Sequence, residues 1–308
     1  MAKLFDVTKE GKGVSREQVN KKKGLMLFLD IYFRRFWKLV LLNLVYMLVA
    51  SPVIYLYFKY VQMALIAYMG FNHIGPDNTE AMTAAIRYTP VLVLLLVQFC
   101  GAGPATAGFN YVLRKYVEDK HAWVWADFLK GMKENFKQAI ATFLINAVAV
   151  VAIVKSMLFY NYIQPEMSML SGFLLVIGIF FIMMQMYTYR LMVTFKYSLK
   201  QIYRNSALMV IIKLPLNIFV FLVSSFILYI LCSFAASVPP AVLFFSFLVI
   251  MLVFYSVVTL VQVFMTRKIV EKYLIELPAL KEKAEAMKKK KSKEYNVEET
   301  DTEFEDFE

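Results

Sequence analysis

The chain consists of long apolar runs separated by short polar segments. Six of these runs are close to the 20 or so residues that an α-helix needs to cross a hydrocarbon core about 30 Å thick. They cover residues 37–61, 89–108, 139–160, 170–190, 215–236 and 242–265. The pattern predicts an all-α, polytopic membrane protein with six transmembrane helices.

Two of the intervening segments have the apolar period of a helix that lies on the membrane surface. In the first, residues 25–35, the apolar stripe consists of Leu25, Phe28, Leu29 and Tyr32. The second, residues 196–214, is also basic and amphipathic, and Pro215 directly after it suits the first turn of a new helix. We expect both segments to form inner-face helices, with Trp37 anchoring the start of the first span.

The segments on the opposite side carry turn signals. Residues 62–88 contain the strong turn sequence Gly75-Pro76-Asp77, and Thr79 with Glu80 after it would start a short surface helix. Pro239-Pro240 predicts a tight hairpin between the fifth and sixth spans. These segments are therefore predicted to be the outer connections.

The distribution of basic residues gives an orientation. All but four of the 34 Lys and Arg residues fall in the inner segments and span ends, the four being Lys38, Lys59, Arg87 and Lys155. Because basic residues accumulate in cytoplasmic loops, both termini are predicted to be cytoplasmic and the protein to be a multi-pass protein of the cell membrane. The net charge of +11 is explained by this bias and does not indicate a nucleic-acid partner.

The domain organisation follows from composition. Hydrophobic residues make up 60% of the chain and the mean hydropathy is +0.57, above the roughly 45–50% of soluble proteins. We expect a basic flexible arm at residues 1–24 without a cleavable signal peptide, a membrane domain at 25–270, and a cytoplasmic tail at 271–308. The tail combines a helix, a polybasic run and an acidic end. Cys100 and Cys232 lie in apolar runs, which predicts buried thiols rather than a disulfide or a metal pair.

The residue types needed for catalysis are missing from the predicted spans. All 23 Asp and Glu residues lie outside them, whereas ion-coupled carriers, pumps and intramembrane proteases usually hold a carboxylate at membrane depth. The two histidines form no zinc-protease pattern, and the chain has neither a phosphate-binding loop for ATP nor a nucleophile elbow. We therefore expect no catalytic, cofactor or metal site, which argues against an enzyme that acts on lipids.

Polar residues nevertheless occur at membrane depth, namely Asn43, Gln98, Asn146, Gln185, Arg190, Asn217 and Gln262. Hydrogen bonds between helices, worth about 0.6–2 kcal/mol each, are the simpler interpretation. The alternative is a polar pathway for a solute such as a sugar. Arg190, near the inner end of the fourth span, is expected to snorkel to the headgroups, with binding of an anion or of a partner carboxylate as the alternative.

The junction after the second span has an unusual composition. Gly101, Gly103 and Pro104 predict close helix packing and a kink, or alternatively a broken helix beside a solute site. The cytoplasmic loop that follows, residues 110–138, interleaves aromatic with basic residues. This suits an aromatic belt at the inner leaflet or a surface that docks a cytosolic partner. The residues predicted to dock a partner are Arg114, Lys115, Trp123, Trp125, Asp127, Phe128 and Asn135.

Several short motifs resemble one protein family. They are Gly103-Pro104-Ala105-Thr106, residues 111–117, Trp125-x-Asp127-Phe128 and Asn135-Phe136-Lys137-Gln138, with similar flanks at residues 33–38 and 199–207. Together they resemble the YesL-like family of bacterial integral membrane proteins of unknown function, mostly from Gram-positive bacteria, over about residues 25–270. The resemblance implies an association with carbohydrate ABC importers and supplies no catalytic residues.

Two hypotheses for function follow. In the first, the protein is a membrane accessory protein of a carbohydrate (oligosaccharide) ABC import system and contacts the permease or the ATPase through its cytoplasmic loops. In the second, it is a stand-alone carrier that is not coupled to ions and takes a carbohydrate ligand. A role as the importer permease itself is not indicated, because Ile212-x-Leu214-Pro215 is only a fragment of the permease loop motif.

Overall fold

The structure is a computed structural model that describes residues 25–75, 78–236 and 240–276. All regular secondary structure in these residues is helical, which confirms the all-α prediction. Several predictions fall outside the described part of the chain. They concern the N-terminal arm (1–24), the tail beyond residue 276, the turn residues Pro76-Asp77 and Pro239, and the side chain of Cys232.

Ten α-helices follow one another in the described residues. They are α1 Leu25–Arg34, α2 Phe36–Phe71, α3 Thr79–Cys100, α4 Pro104–Val117, α5 Val124–Glu134, α6 Phe136–Leu158, α7 Met169–Thr194, α8 Leu199–Ile212, α9 Leu214–Ala236 and α10 Pro240–Val270. A π-helical turn at Phe159–Ile163 extends α6, a 3-10 turn at Pro165–Met167 precedes α7, and a second π-helical turn at Glu271–Glu276 extends α10.

Five of the helices are long and apolar enough to cross a membrane, by the described residues alone. These are α2, α3, α6 with its π-helical turn, α7, and the Leu248–Arg267 part of α10. A sixth arises if α8 and α9 count as one span, although the two helices meet at a bend of 97°. The chain is therefore a membrane protein built from apolar helices. Its orientation and the count of six spans stay predictions.

The helices of the first two predicted spans extend further towards residues 62–88 than predicted. Helix α2 continues past residue 61 and has 36 residues, or about 54 Å of helix, well beyond the hydrocarbon core. The short surface helix predicted after Thr79 is the first part of α3, which begins with the Asn78 side chain accepting a hydrogen bond from the Ala81 amide at 2.9 Å. Glu80 therefore lies in the first turn of a candidate span, which corrects the prediction that every carboxylate lies outside the spans.

The second span also ends earlier than predicted. Helix α3 stops at Cys100, and the expected kink is a complete break, because Gly101 and Gly103 have φ angles of 76° and 59°. Side chains with a Cβ rarely adopt such angles, whereas glycine does so freely. Pro104 then starts α4, where its fixed φ and missing amide hydrogen cost nothing. The residues expected to end a span and begin a loop thus form a separate helix.

Helix α4 lies in the protein core and α5 packs directly on it. Gly108 of α4 and Gly131 of α5 lie at the crossing point, where a Cβ on Gly108 would lie 2.6 Å from the Phe128 carbonyl oxygen. The predicted cytoplasmic loop 110–138 is therefore mostly a tightly packed helical hairpin. Nearby, Tyr46 of α2 stacks on Tyr255 of α10 with ring centroids 4.6 Å apart, and Phe109 of α4 completes this aromatic core.

The two segments predicted as surface helices are both helical. In α1, Phe28 and Tyr32 stack on each other, and Phe28 meets Phe264 of α10 edge-on at 5.8 Å. Helix α8 starts with a capping box, in which Ser198 and Gln201 exchange side-chain and backbone hydrogen bonds. Helix α1 thus packs at the end where α4 and α10 finish. Helix α8 instead packs along α7, with the Ser206 hydroxyl 3.4 Å from that of Thr188, so it is not the surface helix that was predicted.

The α4–α5 crossing predicts that Gly131→Ala destabilises the protein. The new Cβ would lie 2.4 Å from the Tyr111 Cβ, and overpacking of this kind costs about 1–3 kcal/mol. We expect a lower melting temperature in detergent, measured by tryptophan fluorescence. Gly172→Ala is the matched control, because nothing lies within 4 Å of its added Cβ and alanine favours a helix interior by about 0.5–1 kcal/mol. Equal melting temperatures for the two variants would contradict this packing.

Candidate functional site

The break between α3 and α4 is held by side chains from other helices. The Cys100 carbonyl accepts a hydrogen bond from the Asn146 amide nitrogen Nδ2 at 2.8 Å, and the Gly101 carbonyl accepts one from the Tyr57 hydroxyl at 2.7 Å. Both donors are buried. An interrupted helix in an apolar surrounding leaves backbone groups that must be bonded by the protein itself. Helices α2 and α6 supply these bonds.

Thr106 supports the other side of the break. Its hydroxyl accepts a hydrogen bond from the Ala102 amide at 2.6 Å and lies 3.2 Å from the Tyr46 hydroxyl. Tyr46 and Tyr57 are eleven residues apart, which is three helical turns, so both project from the same face of α2. Helix α2 therefore bonds to both sides of the break. This spacing is the sequence signal that could have predicted the contact.

Asn146 connects two further helices, α7 and α8, at the break. Its Nδ2 also lies 3.2 Å from Gln185 Oε1 of α7, and its Oδ1 accepts from the Tyr203 hydroxyl of α8 at 3.2 Å. Gln185 Nε2 and the Thr142 hydroxyl are buried without a hydrogen-bond partner among the described residues. We call this set of residues the break cluster: Tyr57, Cys100, Gly101, Thr142, Asn146, Gln185 and Tyr203. It combines buried polar atoms with the end of a broken helix, a combination found beside the substrate sites of many transporters.

The break cluster lies at about the middle of α6. Asn146 is ten residues after Phe136, the first residue of α6, which corresponds to about 15 Å along the helix axis. If α6 enters the hydrocarbon core at its first turn, the cluster lies about half-way through a core of roughly 30 Å.

The other predicted intramembrane polar residues do not join this cluster. Asn43 bonds to α10, donating to the Leu252 carbonyl at 2.7 Å. Gln98 also bonds to α10, through the Thr259 hydroxyl at 3.1 Å. Asn217 of α9 accepts from the Tyr187 hydroxyl of α7, and Gln262 is buried with its Nε2 unpaired among the described residues. The structure thus brings together Asn146 and Gln185, while Asn43, Gln98 and Asn217 join other helix pairs.

The prediction that Arg190 snorkels to the headgroups is wrong. Its side chain is buried, with the residue 7% exposed, and its Nη1 donates to the Val263 carbonyl at 2.9 Å and to the Thr266 hydroxyl at 2.7 Å. Both acceptors belong to α10. Arg190 therefore turns towards the inside of the bundle rather than along the lipid surface.

Most of the predicted docking residues contact the protein itself. The Asp127 carboxylate accepts from Lys115 Nζ at 2.7 Å and from the Trp123 backbone amide at 2.9 Å. Phe128 is completely buried against Gly108. Arg114 donates to a carbonyl of α7 and Asn135 to the Gly131 carbonyl. These residues hold the α4–α5 hairpin in place.

The two tryptophans of the predicted docking set are exposed. Trp123 is 72% and Trp125 is 58% exposed. They share their side of the hairpin with exposed residues on and after α5, and we call this set the α5 face: Trp123, Trp125, Lys130, Lys133, Phe136 and Lys137. It is the part of the predicted docking surface that a partner or a lipid can reach.

Arginines also join the first two helices to the α4–α5 turn. Arg34 and Arg35 both bond to the Asp119 carboxylate, at 2.7 and 2.9 Å. The Arg35 guanidinium lies 4.7 Å from the centre of the Tyr116 ring. Burial raises the pKa of Tyr116 to about 12 despite this charge, so the phenol stays neutral at physiological pH. We call this end of the bundle, with α1, the α4–α5 turn and the ends of α7 and α10, the basic end.

Residues 39–157 match the family described as "Protein of unknown function, DUF624". The DUF624 match covers fewer than half of the 308 residues and runs from α2 almost to the end of α6. It includes the α3–α4 break, the α4–α5 hairpin and Asn146, and it ends before Gln185 and Arg190. YesL-like proteins belong to DUF624, so the match agrees with the resemblance at the level of the wider family. No curated protein and no solved structure matches the chain.

No group of three or more His, Cys, Asp or Glu side chains comes together in the described residues. Cys100 is buried as a free thiol, with its own carbonyl bonded at the break. What the arrangement offers is hydrogen bonding at the break cluster, and aromatic and cationic contacts at the α5 face.

The bonds at the break predict that Asn146→Ala is strongly destabilising. The change leaves the Cys100 carbonyl and the Tyr203 hydroxyl short of a partner, and a buried polar group without a partner costs about 1–3 kcal/mol. The control is Asn72→Ala, which removes a local bond on an exposed residue. We expect the melting temperature to fall clearly for Asn146→Ala and little for Asn72→Ala. A fall of the same size in both would show that Asn146 does not hold the break.

The Lys115–Asp127 ion pair predicts that substitutions of its two residues have coupled effects on stability. Asp127→Leu alone should lower the melting temperature, because it leaves a partly buried ammonium and the Trp123 amide without their acceptor. Adding Lys115→Met should restore part of the loss, since removing both charges avoids the isolated one. Melting temperatures of the two single variants and the double variant give the coupling. Independent, additive effects would mean that the ion pair contributes nothing to the fold.

Proposed function

We propose that the protein is a non-enzymatic accessory protein of a carbohydrate ABC import system, as its YesL-like motifs imply. It docks the permease or the ATPase through the α5 face. The observation that supports this proposal is an exposed aromatic and cationic surface on a backbone that is rigidly held. The wider DUF624 match is compatible with this role and assigns no activity.

The α5 face has the properties of a preorganised docking surface. The Lys115–Asp127 ion pair and the buried Phe128 side chain hold the α4–α5 hairpin in one conformation. Little conformational freedom of the hairpin is therefore lost when a partner binds. Tryptophan is one of the residues most enriched at the binding hot spots of protein interfaces. Lys130, Lys133 and Lys137 surround them and complement an acidic partner surface.

The proposed membrane arrangement has six spans, in which α9 is the fifth span and α8 packs along α7 to the depth of the break cluster. Both termini and the basic end face the cytoplasm of a cell membrane. The arginines and lysines that cluster at the basic end support this orientation, because positive charge is retained on the cytoplasmic side. The α5 face then points to the compartment where an importer ATPase lies.

The break cluster favours a second candidate function, a solute carrier that is not coupled to ions. Broken helices at membrane depth line the substrate sites of many transporters. Gln185 Nε2 and the Thr142 hydroxyl are free to bond the hydroxyl groups of a carbohydrate ligand. In this case Gln185→Ala abolishes sugar uptake into liposomes that contain the purified protein.

The docking proposal predicts the result of affinity purification from native membranes in mild detergent. We expect the tagged wild-type protein to recover permease and ATPase subunits in a fixed ratio, identified by mass spectrometry. Trp123→Ala/Trp125→Ala should reduce recovery by about tenfold, the effect of losing a single modest hot spot of roughly 1.4 kcal/mol. Trp37→Ala is the matched control, because Trp37 is 79% exposed and lies outside the α5 face.

Two outcomes would contradict the accessory role. One is a wild-type protein that recovers no importer subunits. The other is equal recovery for the Trp37 and the α5 variants, which would assign the α5 face to the lipid interface. Sugar uptake by the purified protein alone, lost in Gln185→Ala, would support the carrier instead.

A further inference from the structure

Three arginines link three helices in a closed ring at the basic end. Arg114 of α4 donates to the Val193 carbonyl of α7 at 2.5 Å. Arg190 of α7 donates to the Val263 carbonyl of α10 at 2.9 Å, and Arg267 of α10 donates to the Val117 carbonyl of α4 at 3.2 Å. We call these three side chains the arginine ring. Each helix thus holds the next through a guanidinium-to-backbone bond.

The arginine ring has more positive than negative charge. Glu118 Oε1 lies 3.7 Å from Arg114 Nε, and Glu271 bonds to Arg267 Nε. Arg190 has no carboxylate within 4.0 Å in the described part of the chain. Glu118 is moreover shared with Lys120, at 2.7 Å. Three guanidinium groups therefore face two carboxylates, and the unbalanced charge is the most deeply buried one.

Arg190 makes its hydrogen bonds to the protein through one nitrogen. Its Nη1 donates both of them, to Val263 and Thr266. Arg114 Nε is buried without a hydrogen-bond partner among the described residues. The carbonyl ends of α4 and α7 contribute only about half a negative charge each. A buried guanidinium cannot lose its proton in a protein and is costly without a counter-charge.

We propose that the arginine ring binds a phosphate group, which the headgroup of an anionic phospholipid supplies. Guanidinium groups match phosphate oxygens through paired N–H donors. The side chains of Arg114 and Arg267 are 24% and 34% exposed, so the ring opens to the surface of the bundle. Exposed Trp37 marks a headgroup level at this end, and basic pockets between spans are known sites for such lipids. The inference does not depend on the docking proposal.

The test uses the full-length purified protein in neutral phosphatidylcholine micelles. Phosphatidylglycerol is titrated in one arm and inorganic phosphate in the other, and the melting temperature and the lipid retained in native mass spectrometry are recorded. We expect phosphatidylglycerol to raise the wild-type melting temperature and to remain bound as a single molecule. Arg190→Gln should raise the half-saturating lipid concentration by about tenfold, as loss of one charge-assisted bond implies.

Control variants test whether phosphatidylglycerol binding depends on the arginine ring or on positive charge in general. Lys155→Gln removes one exposed positive charge from the last turn of α6, outside both the basic end and the α5 face, and should bind phosphatidylglycerol like the wild type. Arg267→Gln removes a partly exposed member of the ring and replaces Arg190→Gln if that variant does not fold. Stabilisation by inorganic phosphate as well would support the phosphate site and identify a soluble source. A wild-type protein with no preference for phosphatidylglycerol over phosphatidylcholine and no response to phosphate overturns the proposal, as does equal weakening in Lys155→Gln and the ring variants.

Discussion

A helix that stops inside an apolar bundle needs partners for the backbone groups it exposes, and the rest of this structure depends on how that need is met. Tyr57, Asn146 and Thr106 supply the bonds at the break between α3 and α4. Because these residues come from α2, α6 and α4 itself, the break fixes how the helices pack around it. The same bonds place the polar atoms of Asn146 and Gln185 at one point.

The break also determines the shape of the basic end. Ending α3 at Cys100 lets the chain form α4, a buried helix whose far end reaches Arg35 of α2 and Arg267 of α10. Helix α5 then packs back on α4 through two glycines, which leaves its tryptophans exposed. Contacts that fix the fold and surfaces that remain free thus lie on opposite sides of one hairpin. Docking and phosphate binding would use different sides of the bundle's end.

Helix content and most helix positions could be predicted from apolar periodicity, as α1, α6, α7 and α8 show. The break could not, because residues 105–109 are as apolar or small as a span and hydropathy does not register a backbone angle. Gly101 and Gly103 indicated an irregularity but not its degree. The burial of Asp127, Phe128 and Arg190 depends on partners distant in sequence, such as Thr266 for Arg190. Charge and aromatic patterns locate a surface, whereas tertiary packing decides which of its residues are exposed.

Hydrogen–deuterium exchange over α4 distinguishes a helix packed at a break from a cytoplasmic loop, because the two differ greatly in amide protection. The measurement compares peptides that cover residues 104–117 with peptides from the buried half of α7, in the same purified sample. We expect α4 to exchange as slowly as residues 183–193 of α7. Exchange of the α4 amides within seconds, while those of α7 stay protected, would contradict a packed α4.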